Sequence, residues 1–309
     1  MRAPTLHLAL AMTAAATLAA AAGWAQEAPA PFTGNGGYPA VVEPAPGLAT
    51  HTVYRPRDPG ALKEARLPIV AWANGACAND NSGFRSFLTE IASHGYLVVA
   101  IGPYVEHPLP RPAAPPPESS ASGPGPGKDP TQSSQLIDAV NWAVAENTRP
   151  GSPLRGLIAT DKVAVMGQSC GGLQALDVAP DPRVTTAVIW NSGIYTRPGG
   201  RSGIRLSKDK LKQLHAPIAY FIGGPTDIAY PNAVDDFARI EGVPALLANL
   251  PVGHSGNYGL PEGGPFARVG AAWLDWRLKG DAKAKAVFVG SNCGLCGDPA
   301  WTVQSKNLR

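Results

Sequence analysis

An α/β fold, with a mainly parallel sheet covered by helices on both faces, is predicted by three features of this sequence. Apolar runs rich in β-formers alternate with segments of helical periodicity along most of the chain, which is the order expected when parallel strands are joined by crossover helices. Hydrophobic residues make up 44% of the 309 residues, and seven Trp, eight Tyr and seven Phe supply the bulk for a sizeable core. The length suits one sheet with its helices, read as a single domain from residue 26 to residue 309. Gly 35 and Pro 32 are both high, so the connecting loops are extensive. The 26 basic and 23 acidic side chains leave a formal charge of +3, which selects no partner. The basic residues do not cluster, so nothing points to nucleic acid.

The chain opens with Arg2 and an Ala/Leu-rich run, with no Asp, Glu, Lys or Arg from residue 3 to residue 26. This reads as a secretory signal peptide cleaved after Ala25, where Gly23 and Ala25 are the small residues a signal peptidase accepts. An uncleaved anchor is the alternative, but the run is shorter than the ~20 residues of a bilayer span. With no Cys before Cys77, lipidation of an N-terminal cysteine is excluded. The expected location is secreted or periplasmic, without a stable membrane anchor.

The elements follow in order. Thr52 to Tyr54 and Ile69 to Ala73 read as early strands. Phe84, Phe87, Leu88 and Ile91 share a helical face in the segment Phe84 to His94, which Gly95 ends. Tyr96 to Ile101 is a buried strand, Ser133 to Ala145 a helix, Lys162 to Met166 a strand and Gly171 to Val178 the helix after it. Val184 to Trp190 and Ile218 to Ile222 continue the strands. Asn232 to Ile240 is a helix, Ala245 to Leu250 the last long strand, and Phe266 to Leu278 a Trp-rich amphipathic helix. Between Pro108 and Pro130 nine of 23 residues are Pro, so this segment cannot build a core and reads as an extended surface loop. A mobile linker is preferred over a binding-site rim because the segment has no aromatic residue or clustered charge.

The most informative stretch is Val163-Ala-Val-Met-Gly167-Gln168-Ser169-Cys170-Gly171-Gly172, an apolar strand that ends in Gly-x-Ser-x-Gly and runs into a helix. This is a nucleophile elbow in its required context. The chain must reverse sharply, which strains the Ser and brings neighbouring segments too close for side chains at positions 167 and 171. A serine hydroxyl needs a base and an orienting carboxylate, expected in the chain order Ser, Asp, His. Asp227 follows the strand Ile218 to Ile222, and His254 follows the strand Ala245 to Leu250. Both lie at carboxyl ends of strands, the edge at which Ser169 is presented. Asp235 and Asp236 fit less well, being further along on a helix. His7, His51, His94, His107 and His215 have the wrong place or order, so Ser169, Asp227 and His254 are the candidate triad.

An oxyanion hole needs two N–H donors. Cys170, after the nucleophile, supplies one, and the small-residue turn Asn74-Gly75-Ala76-Cys77 the other, with Ala76 preferred and Gly75 as fallback. Four cysteines allow three pairings, among which the sequence does not choose. Cys77 and Cys170 adjoin the two donors, and a disulfide between them would lock the hole together; two buried free thiols are the alternative. Cys293-Gly-Leu-Cys296 reads as a structural staple in preference to a redox motif or half a zinc site, because no βαβ unit follows it and no second Cys/His pair lies near it.

With these residues in place, the chain resembles the α/β-hydrolases over roughly residues 50 to 280, in the branch of dienelactone hydrolases, chlorophyllase-like proteins and cutinase-like polyester hydrolases. Ile91-Ala-Ser-His-Gly-Tyr-Leu-Val-Val is similar to that branch's helix-to-strand join, and the stretch around Ser169 to its elbow. Dienelactone hydrolases proper have Cys at the position of Ser169. Polyester hydrolases usually have Met where Cys170 stands and an aromatic residue where Ala76 stands. The resemblance implies the α/β-hydrolase fold and ester hydrolysis through an acyl-enzyme. It also implies a substrate contact at Trp190, for which a core role is equally open.

The expectation is therefore an exported serine esterase acting as a monomer on a small or polymeric ester, without cofactor or metal. A serine peptidase or amidase on the same apparatus and a non-catalytic binding protein of the same fold are the alternatives.

Overall fold

The computed structural model describes Met1 and residues 32–63, 65–106, 130–196 and 204–309. The expected signal peptide and the Pro-rich loop at 108–130, its last residue apart, lie outside the described residues. Phe32 to Arg309 group as one compact unit. Nine strands form one sheet: β1 (Ala40–Pro44), β2 (His51–Pro56), β3 (Leu67–Ala73), β4 (Leu97–Ile101), β5 (Ile158–Gln168), β6 (Val184–Trp190), β7 (Ile218–Ile222), β8 (Ala245–Asn249) and β9 (Thr302–Lys306). Their order across the sheet is β1-β2-β4-β3-β5-β6-β7-β8-β9. Neighbours from β4 to β8 are parallel, whereas β1, β2 and β9 join antiparallel at the two margins.

Each inner strand feeds two cores, because successive side chains of a strand point to opposite faces. In β3, Ile69, Ala71 and Ala73 face one core while Val70 and Trp72 face the other. The first core is closed by α2 (Ser134–Glu146), α3 (Cys170–Val178) and α4 (Tyr230–Arg239), through residues such as Leu136, Leu176 and Phe237. The second is closed by α1 (Arg85–Ser93) and α5 (Gly264–Lys279), through Phe87, Ile91, Phe266 and Trp273. Helices thus lie on both faces, as the alternating pattern requires. A short helix, α6 (Ala282–Lys285), follows, and no helix among the described residues is long and apolar enough to cross a membrane.

The expected strands Val184 to Trp190 and Ile218 to Ile222 match β6 and β7 end to end. The last long strand is followed by β9, which the sequence pattern does not announce. Its residues Thr-Val-Gln-Ser-Lys are half-buried or exposed at the sheet margin, so apolar runs are not required of them. β1 is hidden for the same reason, with only Ala40 buried.

Candidate active site

Because β3 and β5 to β8 are parallel, their carboxyl ends share one edge, and the loops leaving them converge there. Ser169 sits between β5 and α3 at φ 54°, ψ −117°, a backbone region that costs a non-glycine residue of order 1–3 kcal/mol. The turn is possible because glycines flank it. A Cβ at Gly167 would run into the Gly171 carbonyl, and one at Gly171 into the Ala73 carbonyl at the end of β3. The Ser169 N–H donates to the Trp190 carbonyl at 2.9 Å, and the Ser192 hydroxyl donates to the Ser169 carbonyl at 2.6 Å. These bonds hold the strained residue from outside its own segment.

His254 stands on the loop after β8. Its Nε2 is 2.9 Å from Ser169 Oγ and its Nδ1 is 2.7 Å from Asp227 Oδ1. A carboxylate only accepts, so Nδ1 carries the proton and Nε2 is left as acceptor for the serine hydroxyl. The His254 carbonyl accepts from Gln168 Nε2 at 3.0 Å, and the Gly253 N–H donates to the Gly223 carbonyl at 2.9 Å, which ties the loop of the imidazole to the loop of the carboxylate.

The Asp227 side chain is fully buried. Besides His254, the Ala229 N–H donates to its Oδ1 at 2.9 Å, and the Gly223 N–H at 3.0 Å and the Asn191 amide at 2.7 Å donate to its Oδ2. Burial pushes its pKa up, but His254, the two backbone N–H groups and Asn191 outweigh this and hold the carboxyl below its usual range. The charge that faces the imidazole is therefore fixed.

Across the site, residues 75–77 form a 3₁₀ turn that leaves β3, with Ala76 at φ 55° and Cys77 at φ 49°. Two successive left-handed residues without glycine persist only when their surroundings over-determine them. Asn74, fully buried, donates from Nδ2 to the carbonyls of Ile101 at 2.7 Å and Ala78 at 2.9 Å, and accepts from the Trp72 indole at 2.9 Å. The Thr131 N–H donates to the Cys77 carbonyl at 2.9 Å. Cys77 and Cys170 stand at disulfide distance, their Cα atoms 5.1 Å apart, which joins this turn to the first residue of α3. Cys293 and Cys296 form the second such pair. Of these pairs, Cys77–Cys170 is the one at the two candidate oxyanion residues, Cys170 itself, buried, and Ala76, exposed, next to Cys77.

Trp190 has a different place from that implied by the resemblance. Its side chain is fully buried in the core under α1 and α5, stacked on Phe221 at 4.6 Å and edge-on to Phe87 at 5.1 Å, so it presents no surface to a substrate. Such a buried ring contributes on the order of 3–5 kcal/mol to stability. Its contribution to the site is its carbonyl, which receives the Ser169 N–H.

Asn191, Gln168, Asn74 and Tyr258 complete the site without having been singled out from the sequence. Asn191 and Gln168 directly adjoin Trp190 and Ser169, and that adjacency was the available signal. No family model matches the chain, and no curated protein sequence matches it.

Proposed function

We propose that the chain is an exported serine esterase of the α/β-hydrolase class. The observation that carries this reading is the unbroken line of hydrogen bonds from Ser169 Oγ through the His254 imidazole to Asp227, at 2.9 and 2.7 Å. His254 Nε2 takes the Ser169 proton as Oγ attacks the ester carbonyl carbon, and Asp227 stabilises the imidazolium that forms. The carbonyl oxygen, now an alkoxide, is received by the backbone N–H groups of Cys170 and Ala76, at a point favoured by the positive end of the α3 dipole. Collapse of the intermediate breaks the bond to the alcohol oxygen, which leaves with the proton from His254. Water, deprotonated by His254, then attacks the acyl-serine, releases the acid and restores Ser169.

Exposed apolar side chains border these loops. Ile228, next to Asp227, is 75% exposed, and Val252, two residues before His254, is 37% exposed. They suit an ester with an apolar acyl or alcohol part. Export accords with the apolar N-terminal run and with the two cysteine pairs at disulfide distance.

The test is Ser169→Ala with p-nitrophenyl butyrate. Hydrolysis is expected to fall to the uncatalysed background while the melting temperature stays at the wild-type value, and a fluorophosphonate probe is expected to label the wild type alone. Undiminished turnover in the variant refutes the proposal.

A further inference from the structure

Asn191, the first residue after β6, is a tightly held polar side chain beside Asp227. It is fully buried, and its φ of 43° lies in the left-handed region. Its N–H donates to the Phe221 carbonyl at 2.9 Å, which prolongs the pairing of β6 with β7 by one residue. Its side-chain Nδ2 donates twice, to Asp227 Oδ2 at 2.7 Å and to the Gly253 carbonyl at 3.1 Å. Its Oδ1 accepts from the Tyr258 hydroxyl, four residues beyond His254.

One side chain thus touches the loop of the acid once and the loop of the base twice. The residues on either side of it do the same for the nucleophile, since the Trp190 carbonyl takes the Ser169 N–H and Ser192 Oγ donates to the Ser169 carbonyl. The tripeptide Trp190-Asn191-Ser192 is in contact with all three arms of the triad while contributing none of them.

The chemistry of the residue follows from these contacts. Glycine would adopt the left-handed backbone with less strain, and aspartate tolerates it nearly as well as asparagine. Aspartate would still accept from Tyr258 but would set a second carboxylate against Asp227 and lose both donated bonds. Only an amide donates to Asp227 and to the Gly253 carbonyl while accepting from the phenol. We infer that Asn191 is a positioning residue for the hydrolytic reaction: it fixes the carboxylate of Asp227 and the loop of His254 in register, so that the imidazole meets Ser169 Oγ. This inference rests on the triad reading above.

The experiment compares Asn191→Gly and Asn191→Asp with wild type, using kcat and KM on p-nitrophenyl butyrate and the far-downfield proton resonance of the His254 Nδ1–H. Cooperative melting shows that each variant is folded, and if only one of them folds, that one decides. Both variants are expected to lose about 10- to 100-fold in kcat, as a displacement of reacting groups on the order of 1 Å does, with KM little changed. The downfield resonance should broaden or vanish as the imidazole loses its fixed partner. A purely structural turn residue would be replaced by glycine without loss, so wild-type kcat and an unchanged resonance in Asn191→Gly would overturn the inference while leaving the esterase reading intact. If the wild type hydrolyses no ester, that reading falls, and the resonance still decides whether Asn191 holds the pair of Asp227 and His254 together.

Discussion

Removal of the Cys77–Cys170 link is expected to cost more stability than removal of Cys293–Cys296, by an amount that follows from loop size. The first pair closes a separation of 93 residues and the second a separation of 3. In the chain-entropy treatment these closures restrict the unfolded chain by about 4.7 and about 1.6 kcal/mol respectively. Unfolding entropy runs to about 2.1 cal/mol/K per residue, or about 0.6 kcal/mol/K over about 280 residues. Cys77→Ala/Cys170→Ala should therefore melt about 8 °C below wild type, and Cys293→Ala/Cys296→Ala about 3 °C below it. Burial acts in the same direction, since both sulfurs of the first pair are buried and Cys296 is exposed. Calorimetry on the two double variants without reductant reads these shifts directly. Turnover separates the pairs further. Without the link, the strained turn at Ala76 and Cys77 loses one of its ties to the elbow, and kcat should fall by about tenfold or more, whereas the Cys293→Ala/Cys296→Ala variant keeps wild-type kcat. Equal melting shifts, or a larger shift for the second pair, would refute the loop-size argument, and wild-type kcat in Cys77→Ala/Cys170→Ala would refute the role assigned to the link.

Two further predictions follow from packing and charge. Gly171→Ala directs a methyl group into the Ala73 carbonyl, where only backbone can yield, so the unfolding free energy read from urea titration should drop by about 1–3 kcal/mol, with a parallel loss of ester hydrolysis; near-wild-type values for both would contradict the close approach. Burial pushes the His94 pKa down, but the carboxylates of Asp275 and Glu90 beside its ring outweigh this and raise it from 6.5 to about 9. A raised folded-state pKa means that the stabilisation is fully present below pH 6.5 and is lost as the pH rises through about 9. Urea midpoints across that window should decline in wild type and flatten in His94→Gln; parallel profiles would count against the pairing.

The inner strands, and the three residues that the hydrogen bonds join at their carboxyl ends, were legible in the sequence for a common physical reason. A strand covered on both faces is predominantly apolar, so β6 and β7 stand out from their surroundings and their carboxyl ends can be located. Ser169, Asp227 and His254 are then distinguished by residue type at those ends. β9 and β1 escaped because a half-exposed margin imposes no such pattern. For Trp190 the resemblance implies a substrate contact while a core role is equally open, because position along a strand does not give a residue's face. Alternation sends the indole down into the α1 and α5 core, and the next residue, Asn191, reaches the site instead. Its importance depends on what lies 36 and 62 positions away in the chain, at Asp227 and Gly253, which only the folded arrangement reveals.

Asp227 and Ile228 are consecutive, yet one side chain is sealed among donors and the other projects into solvent. The sealed carboxylate and the solvent-facing side chain thus stand on opposite sides of a single peptide bond. On the esterase reading, substitution at the outward position would leave the hydrogen bonds of its inward neighbour undisturbed, so the two positions are free to change independently.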